Sequence, residues 1–261
     1  MTRVQSNTHP IVRGRAFVAT IGALVLIVTA VAATGAWAAR KYYLERVSVR
    51  LNPIDVQRYW CRNQKLKPPA GERVVFIGDS RIVGWTPEPS LGSVELVWRG
   101  VPGETTAQMS YRFHSDALGI DSTSIVIQSG INDLVGGVAV GKADQVAHQT
   151  SRNLLQMASK GAASGRQVFL LTIVRPAQPP LWRRPFWSGS IYDQVTVVNN
   201  ALRAVSLDGV HVIDADQLLA GSSRVLPNEY SSDTLHLTAQ AYQALNRELV
   251  RVMDASRRVV Q

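Results

Sequence analysis

The chain begins with one long apolar stretch and continues with a repeating pattern of shorter ones. Residues 16–39 contain no ionisable side chain. As a helix they would extend about 36 Å, which is enough to cross a hydrocarbon core of about 30 Å. A helix in the core of a soluble protein is rarely this long without a charge. The pattern therefore predicts one transmembrane helix over residues 16–39.

The stretch that follows is polar and ends in residues that interrupt helices. Residues 67–71 read Lys-Pro-Pro-Ala-Gly, and neither proline nor glycine continues a helix well. We therefore predict a juxtamembrane linker over residues 40–70 and a folded domain over residues 71–261.

Within this domain, short apolar runs alternate with longer amphipathic segments. The apolar runs predicted to form buried strands are Val74–Ile77, Val94–Trp98, Ser124–Ile127, Val168–Val174 and His211–Ile213. The segments predicted to be helical are Thr105–Asp116, Lys142–Ala163, Ile191–Ser206 and Thr238–Ser256. Alternation of this kind favours a three-layer α/β/α fold, in which helices cover both faces of a parallel sheet.

Most of the positive charge lies beside the apolar segment. The formal net charge is +9, and residues 1–50 contribute +6 of it through seven basic side chains and one acidic side chain. The rest of the chain carries only +3. Basic residues that flank an apolar helix meet anionic lipid head groups, so the charge predicts a membrane as partner and argues against nucleic acid.

The flanking residues also predict an orientation. Arg13 and Arg15 precede the apolar segment and no acidic residue does, which is typical of a tail that stays in the cytoplasm. Residues 1–15 are thus predicted to be cytoplasmic, and residues 16–39 a signal anchor that places the folded domain outside. A cleaved signal peptide, giving a secreted or periplasmic protein, is the alternative, because residues 36–38 read Ala-Trp-Ala. The apolar run is, however, longer than the about 7–15 residues of a typical signal peptide.

Candidate chemistry follows the predicted strands, because ligands of such sheets bind beyond the carboxyl ends of the strands. The Gly-Asp-Ser tripeptide at 78–80 places a serine hydroxyl at the predicted start of a helix, where backbone N–H groups converge. Gly103, after the second strand, lets the backbone present an N–H to a ligand. Asn132 follows the third strand and can donate to an oxyanion, whereas ionised Asp133 can only accept. Taken singly, each is more typical of an ordinary cap or turn.

An acid and a histidine three residues apart complete the set near the C-terminus. Asp233 and His236 have a spacing that can bring the carboxylate onto one imidazole nitrogen and leave the other free to take a proton from serine. Asp208 and His211 have the same spacing. His211, however, begins an apolar strand pattern at the opposite end of the predicted sheet, so a structural role is the better interpretation.

The ordered set of motifs, GDS, G, GxND and DxxH, resembles the SGNH (GDSL-like) hydrolase family, named after the Ser, Gly, Asn and His of its four blocks. The resemblance covers residues 73 to about 253. It implies a parallel, flavodoxin-like sheet and a serine esterase without a cofactor or metal. The implied nucleophile is Ser80 and the implied orienting acid and base are Asp233 and His236. The implied oxyanion donors are the Ser80 and Gly103 N–H groups and Asn132.

One residue departs from the family pattern, because Arg81 stands where leucine is usual. The position is not catalytic in the family, so the mechanism is expected to remain intact. The single cysteine, Cys61, also excludes an internal disulfide and a cluster of thiolate metal ligands.

The expected reaction is hydrolysis of a carboxylic ester through an acyl-enzyme. If a sugar hydroxyl took the place of water, the same triad would make an O-acyltransferase. A catalytically silent glycan-binding or assembly protein is a further alternative, although such a protein has no need of an intact triad.

The substrate is expected to be a small or glycan ester, such as an O-acetylated cell-envelope glycan, or a lipid ester. Residues 176–189, after the fourth strand, supply the candidate binding residues Trp182, Arg183 and Trp187, together with Arg184 and Phe186. Aromatic and guanidinium groups can stack on sugar rings or approach a lipid interface. The alternative is a proline-rich loop whose aromatic residues pack back on the domain.

Overall fold

The computed structural model describes residues 9–51, 65–184 and 187–259, and the side chains of residues 19–44, 65–184 and 187–258. Cys61 and Phe186 lie outside the described residues. The chain divides into an N-terminal and a C-terminal compact unit, which are considered separately.

The N-terminal unit is one long helix, α1, over His9–Leu51. Its segment Ala19–Leu44 is long and apolar enough to cross a membrane, and every side chain in that segment is exposed. The apolar helix expected over residues 16–39 is therefore present. The helix also continues through residues 40–51, the first part of the predicted linker, because no proline or glycine interrupts it there.

The C-terminal unit contains a five-stranded parallel sheet in the order β2-β1-β3-β4-β5. The strands are β1 Arg73–Gly78, β2 Glu95–Gly100, β3 Ser124–Gln128, β4 Gln167–Leu171 and β5 Val210–Ile213. This is the flavodoxin-like order. Strand β2 is added on one side of β1, and the later strands β3, β4 and β5 are added on the other side. Strands β1 and β3 lie in the middle and are buried along their whole length.

Helices cover both faces of this sheet. They are α2 Ser80–Val83, α3 Thr106–Phe113, α4 Ile131–Ala139, α5 Ala143–Ala163, α6 Ser190–Arg203, α7 Ala215–Ala220 and α8 Ala239–Val259. A π-helical turn, His114–Leu118, extends α3, and a 3₁₀ turn spans Asn228–Tyr230.

Alternate residues of β1 belong to two separate apolar clusters. Val75 and Ile77 pack with side chains of α3, α4, α5 and α6, whereas Val74 and Phe76 pack with α7 and α8. Because successive side chains of a strand point to opposite faces, each cluster fills one side of the sheet. The predicted three-layer α/β/α fold is confirmed.

Some local predictions for the C-terminal unit differ from the structure. Helix α4 was not expected, because its sequence contains Gly136-Gly137. A Cβ at Gly137 would lie 2.6 Å from the Val146 Cβ, so glycine is what lets α4 approach α5 this closely. Strand β4 ends at Leu171 and not at Val174, because the Asn199 side chain hydrogen-bonds both the N–H and the C=O of Ile173.

Candidate active site

Ser80 lies at the junction between the central strand and a short helix. Strand β1 ends at Gly78, and the Asp79 side chain caps α2 by accepting a hydrogen bond from the Arg81 N–H at 2.9 Å. Ser80 is the first residue of α2 and is half-buried. Its N–H has no acceptor within the helix, as is usual for a first turn. The strand–turn–helix arrangement expected from the Gly-Asp-Ser tripeptide is present.

The loop between the 3₁₀ turn and α8 brings a histidine to this serine. Oδ1 of Asp233 accepts hydrogen bonds from the N–H groups of Leu235 at 2.7 Å and His236 at 2.8 Å, which fixes the loop locally. Oδ2 of Asp233 lies 2.7 Å from Nδ1 of the His236 ring. Nε2 of the same ring lies 3.1 Å from Oγ of Ser80. The three residues therefore form one continuous chain of hydrogen bonds.

The protonation state of Asp233 determines how the ring is oriented. Partial burial raises the pKa of its carboxyl group, but hydrogen bonds from the His236 ring and from the His236 and Leu235 N–H groups outweigh burial and lower the pKa to about 2. An ionised carboxylate can only accept, so the shared proton belongs to Nδ1. In the neutral ring, Nε2 is then the nitrogen without a hydrogen, and it faces Ser80, as a general base requires.

The loop after β2 is linked to the start of α4. Gly103 is exposed in a turn, and the next residue, Glu104, is buried. The Glu104 carbonyl accepts a hydrogen bond from Nδ2 of Asn132 at 3.0 Å. Asn132 is half-buried in the first turn of α4. One hydrogen bond thus links the segment that contains Gly103 to the segment that contains Asn132.

Asp133 points to a different partner. Its carboxyl group accepts hydrogen bonds from the N–H and the hydroxyl of Thr106, at distances down to 2.6 Å, and so caps the start of α3. Burial raises the pKa of Asp133 to about 6, although these hydrogen bonds favour its ionised form. Asn132 thus donates a hydrogen bond to the Gly103 segment, whereas Asp133 accepts hydrogen bonds from Thr106, in agreement with the different functional groups of the two side chains.

A buried arginine that the sequence analysis did not single out joins the strand ends beneath the site. Arg112 on α3 is 1% exposed. Its guanidinium donates to the carbonyls of Gly78 and Arg99, at the ends of β1 and β2, and to the Glu104 carboxylate. The residue was missed because two of its partners are backbone carbonyls of the distant strands β1 and β2, which leave no motif.

Two cavities adjoin the loop over residues 176–189. The first, of about 530 Å³, lies beside the loop that carries Asp233 and His236. Its lining includes Trp182, Arg183 and Asp233. The second, of about 320 Å³, is mainly apolar and is lined by Arg183 and Trp187 with residues of α4 and α6. Arg183 lies over the Trp187 ring, with its guanidinium carbon 5.0 Å from the ring centroid. Trp182 is 74% exposed.

His211, the other histidine with an Asp three residues before it, has structural contacts. Its Nε2 lies 2.7 Å from Oε1 of Gln167, and its ring stacks on Phe169 with centroids 5.2 Å apart. Both partners belong to the neighbouring strand β4. This environment agrees with the predicted structural role.

Comparison with known proteins identifies the family. The sequence profile of the GDSL-like Lipase/Acylhydrolase family matches residues 76–244, which is more than half of the chain. The chain belongs to this family of ester-hydrolysing enzymes. The matched range contains each residue of the Ser80, Gly103, Asn132 and Asp233–His236 set. No curated protein matches the chain significantly.

Solved structures with the same fold include several esterases. A GDSL-like lipase from Bacteroides thetaiotaomicron is 23% identical, with a TM-score of 0.62 over 78% of this chain and 98% of its own. An α/β hydrolase enzyme, LAE5, from the metagenome of Lake Arreo is 17% identical, with a TM-score of 0.53 over 70% and 95%. A catalytic mutant of Axe2, an acetylxylan esterase from Geobacillus stearothermophilus, is 16% identical, with a TM-score of 0.50 over 71% and 95%. At these identities the likeness is one of fold.

Proposed function

We propose that the protein hydrolyses carboxylic esters through an acyl-enzyme on Ser80. The observation that carries this proposal is the hydrogen-bond chain from Asp233 through His236 to Ser80, with steps of 2.7 and 3.1 Å. A serine hydroxyl is a weak nucleophile until an adjacent base takes its proton, and these contacts supply that base together with a carboxylate that orients it.

The proposed steps use one imidazole twice. Ser80 Oγ attacks the carbonyl carbon while Nε2 of His236 takes the hydroxyl proton. The tetrahedral intermediate then collapses, His236 returns the proton to the departing alcohol oxygen, and the acyl group remains on Ser80. A water molecule, deprotonated by His236, then attacks the acyl carbon. The second tetrahedral intermediate collapses, His236 returns the proton to Ser80 Oγ, and the acid leaves.

We propose that three donors stabilise the negative charge on the oxygen of the tetrahedral intermediate. They are the N–H groups of Ser80 and Gly103 and Nδ2 of Asn132. A side-chain amide nitrogen carries two hydrogens, and the Glu104 carbonyl takes one of them. The second hydrogen is therefore available for an oxyanion. Donors that are already fixed stabilise the developing charge without reorganisation, which is often the largest single contribution to the rate.

Hydrolysis of 4-nitrophenyl acetate by single variants tests this assignment. We expect Ser80→Ala and His236→Ala each to lower kcat/KM by about 10³-fold or more. Ser90→Ala is the matched control, because Ser90 is exposed and lines a separate surface groove beside α8. A Ser80→Ala variant that keeps the wild-type activity would overturn the proposal. A wild-type protein that does not hydrolyse the ester would overturn it as well and leave the glycan-binding alternative.

For the substrate, we propose an ester whose alcohol part is a sugar unit held in the cavity beside Asp233. Polar side chains line much of this cavity, and Trp182 adds an exposed aromatic face. An indole is well suited to surfaces that are apolar on one side and hydrated on the other, as sugar rings are. The name of the structurally similar acetylxylan esterase describes such a substrate.

This substrate proposal has a matched pair of variants, because Leu181 and Trp182 are adjacent and equally exposed. Trp182→Ala should raise KM for acetylated xylan about 10-fold while leaving the kinetics on 4-nitrophenyl acetate unchanged. Leu181→Ala should change neither. A rate that rises with acyl chain length, with no response to Trp182→Ala, would indicate a lipid ester and contradict the proposal. Transfer of the acetyl group to an added sugar would indicate the acyltransferase.

A further inference from the structure

The residue that follows the proposed nucleophile carries a charge that the mechanism above does not use. Arg81 is only 2% exposed, although it lies in the four-residue helix α2. Removing a guanidinium from water costs several kcal/mol unless hydrogen bonds and opposite charges compensate. The contacts that Arg81 makes must therefore account for its burial.

The Arg81 guanidinium binds the backbone of two other segments. Its Nε donates to the Leu235 carbonyl at 3.0 Å, and its Nη1 donates to the Val174 carbonyl at 2.9 Å. Leu235 directly precedes His236 in the chain, and Val174 lies three residues beyond the end of β4. One side chain thus joins the ends of β1 and β4 to the loop that carries the base.

The hydrogen bond from Arg81 to Leu235 joins the same two segments as the contact between Ser80 and His236. Arg81 is covalently joined to Ser80, and Leu235 is covalently joined to His236. The 3.0 Å bond between Arg81 and Leu235 and the 3.1 Å contact between Ser80 and His236 therefore close one ring. The N–H of Leu235 is held by Asp233 at 2.7 Å, so this residue is fixed on both sides.

The backbone of Arg81 is itself held in place. Its N–H donates to Oδ1 of Asp79 at 2.9 Å, and its carbonyl accepts a hydrogen bond from the Tyr242 hydroxyl on α8 at 2.8 Å. Asp79 and Tyr242 are both buried. Burial raises the pKa of Asp79 and lowers the pKa of Arg81, and the attraction between the two side chains opposes both shifts. The Arg81 side chain therefore extends from a backbone that is held at both its N–H and its carbonyl.

We infer that Arg81 is a positioning residue, which holds the His236 loop at hydrogen-bonding distance from Ser80. The inference rests on the proposed function, because it concerns the geometry of the proposed triad. A leucine in its place fills part of the volume but offers no hydrogen-bond donor to the Leu235 and Val174 carbonyls. The His236 loop then loses its tie to the nucleophile, and a displacement of about 1 Å at a catalytic group can cost about 100-fold in rate.

The test compares Arg81→Leu with Arg73→Leu. Arg73 is also 2% exposed and also donates to backbone carbonyls, those of Lys67 and Asp121, but it lies at the opposite end of β1. For 4-nitrophenyl acetate we expect Arg81→Leu to lower kcat about 10- to 100-fold with KM within about twofold. Arg73→Leu should lower the free energy of unfolding but keep the wild-type kcat at temperatures where it is folded.

Arg81→Lys is the second variant, because it keeps the charge but cannot donate in two directions from a planar group. We expect it to retain an intermediate kcat with an unchanged KM. A folded Arg81→Leu protein with the kcat of Arg73→Leu would overturn the role of Arg81. If Arg81→Leu does not fold, Arg81→Lys decides: a lowered kcat at constant KM supports the role, and the wild-type kcat overturns it.

The Ser80→Ala variant separates this inference from the proposal on which it rests. If Ser80→Ala is inactive while Arg81→Leu keeps the wild-type kcat, only the positioning role is lost. If Ser80→Ala is active, the proposed function fails and the positioning role fails with it.

Discussion

Asn132 and Asp133 are neighbours in the chain, yet their side chains serve different parts of the fold. The Asn132 amide donates to the Glu104 carbonyl, next to Gly103. The Asp133 carboxyl group accepts from Thr106 and is buried. The amide of Asn132 is suited to donate to the proposed oxyanion, and the carboxyl group of Asp133 is suited to accept at the start of a helix. Elementary hydrogen-bonding chemistry therefore assigns different roles to two residues that are adjacent in the chain.

Asn132→Ala removes one proposed oxyanion donor. Because that donor acts mainly on the transition state, we expect kcat on 4-nitrophenyl acetate to fall about 100-fold or more while KM changes little. Asn200→Ala, an exposed asparagine on α6, is the control and should leave both constants unchanged. An undiminished kcat in Asn132→Ala would remove this residue from the oxyanion site.

Asp133 should make stability depend on pH in an unusual direction. Burial raises its pKa to about 6 in the folded protein, above the about 3.9 of an unfolded chain. Between these values the unfolded chain has lost the proton and the folded protein keeps it. This residue therefore contributes stability below about pH 4 that is lost as the pH rises through about 6.

The Asp133→Asn variant removes this titration and isolates its effect. We expect the free energy of unfolding of the variant, relative to wild type, to increase by about 1–3 kcal/mol between about pH 4 and about pH 7.5. Urea unfolding at the two pH values measures the difference. A relative stability that is constant or decreases over this range would contradict the raised pKa.

At the scale of elements, the junctions between strands and helices place the candidate site residues. Gly130 joins β3 to α4 with a φ of 118°, in the left-handed region. A Cβ at this position would lie 2.6 Å from Cδ1 of Ile173. Glycine therefore permits both the backbone conformation and the close packing that set the start of α4, two residues before Asn132.

Gly130→Ala should consequently destabilise the protein by about 2 kcal/mol or more. Gly136→Ala is the matched control, because Gly136 lies inside α4 without a positive φ. Among the described residues outside its own helix, none lies within 4 Å of a Cβ added there. That change should be neutral or stabilise the helix by up to about 1 kcal/mol. Denaturant unfolding compares the two, and equal free energies of unfolding would refute this account of the junction.

The elements themselves were largely predictable from the sequence. All five strands were expected, because a strand in a parallel sheet is buried on both faces and reads as a short apolar run. Helices α3, α5, α6 and α8 were expected from their amphipathic patterns. Helix α4 was not, because the Gly136-Gly137 pair that enables its close packing also lowers its helix propensity. Helix α7, at six residues, is too short for a periodic pattern.

At the scale of the whole molecule, the site depends on contacts between distant segments. Ser80 and His236 are 156 residues apart in sequence. Their proximity was expected from the positions of the motifs after the predicted strands and from the resemblance of the ordered set to a known family. The sequence could not predict which backbone carbonyls Arg81 and Arg112 bind, because any residue type supplies a carbonyl. The geometry of those carbonyls is a property of the fold.

We propose that α1 is an uncleaved signal anchor that places the catalytic domain outside the cytoplasm. In bacterial cells that express the chain with a C-terminal tag, the full-length protein should stay in the membrane fraction after a wash at high pH. Protease added to spheroplasts should digest the tag. A soluble mature chain that begins just after Ala38 would instead identify a cleaved signal peptide. A tag protected from the protease would reverse the orientation.

The most direct test of the central claim is to locate a covalent intermediate. A fluorophosphonate reacts with an activated serine, and trypsin cleavage after Arg73 and Arg81 releases the peptide Val74–Arg81, whose only serine is Ser80. We predict one phosphonyl group per chain, found by mass spectrometry on that peptide and absent from His236→Ala. Modification on another peptide, or an unmodified Ser80 in a preparation that hydrolyses esters, would contradict the account.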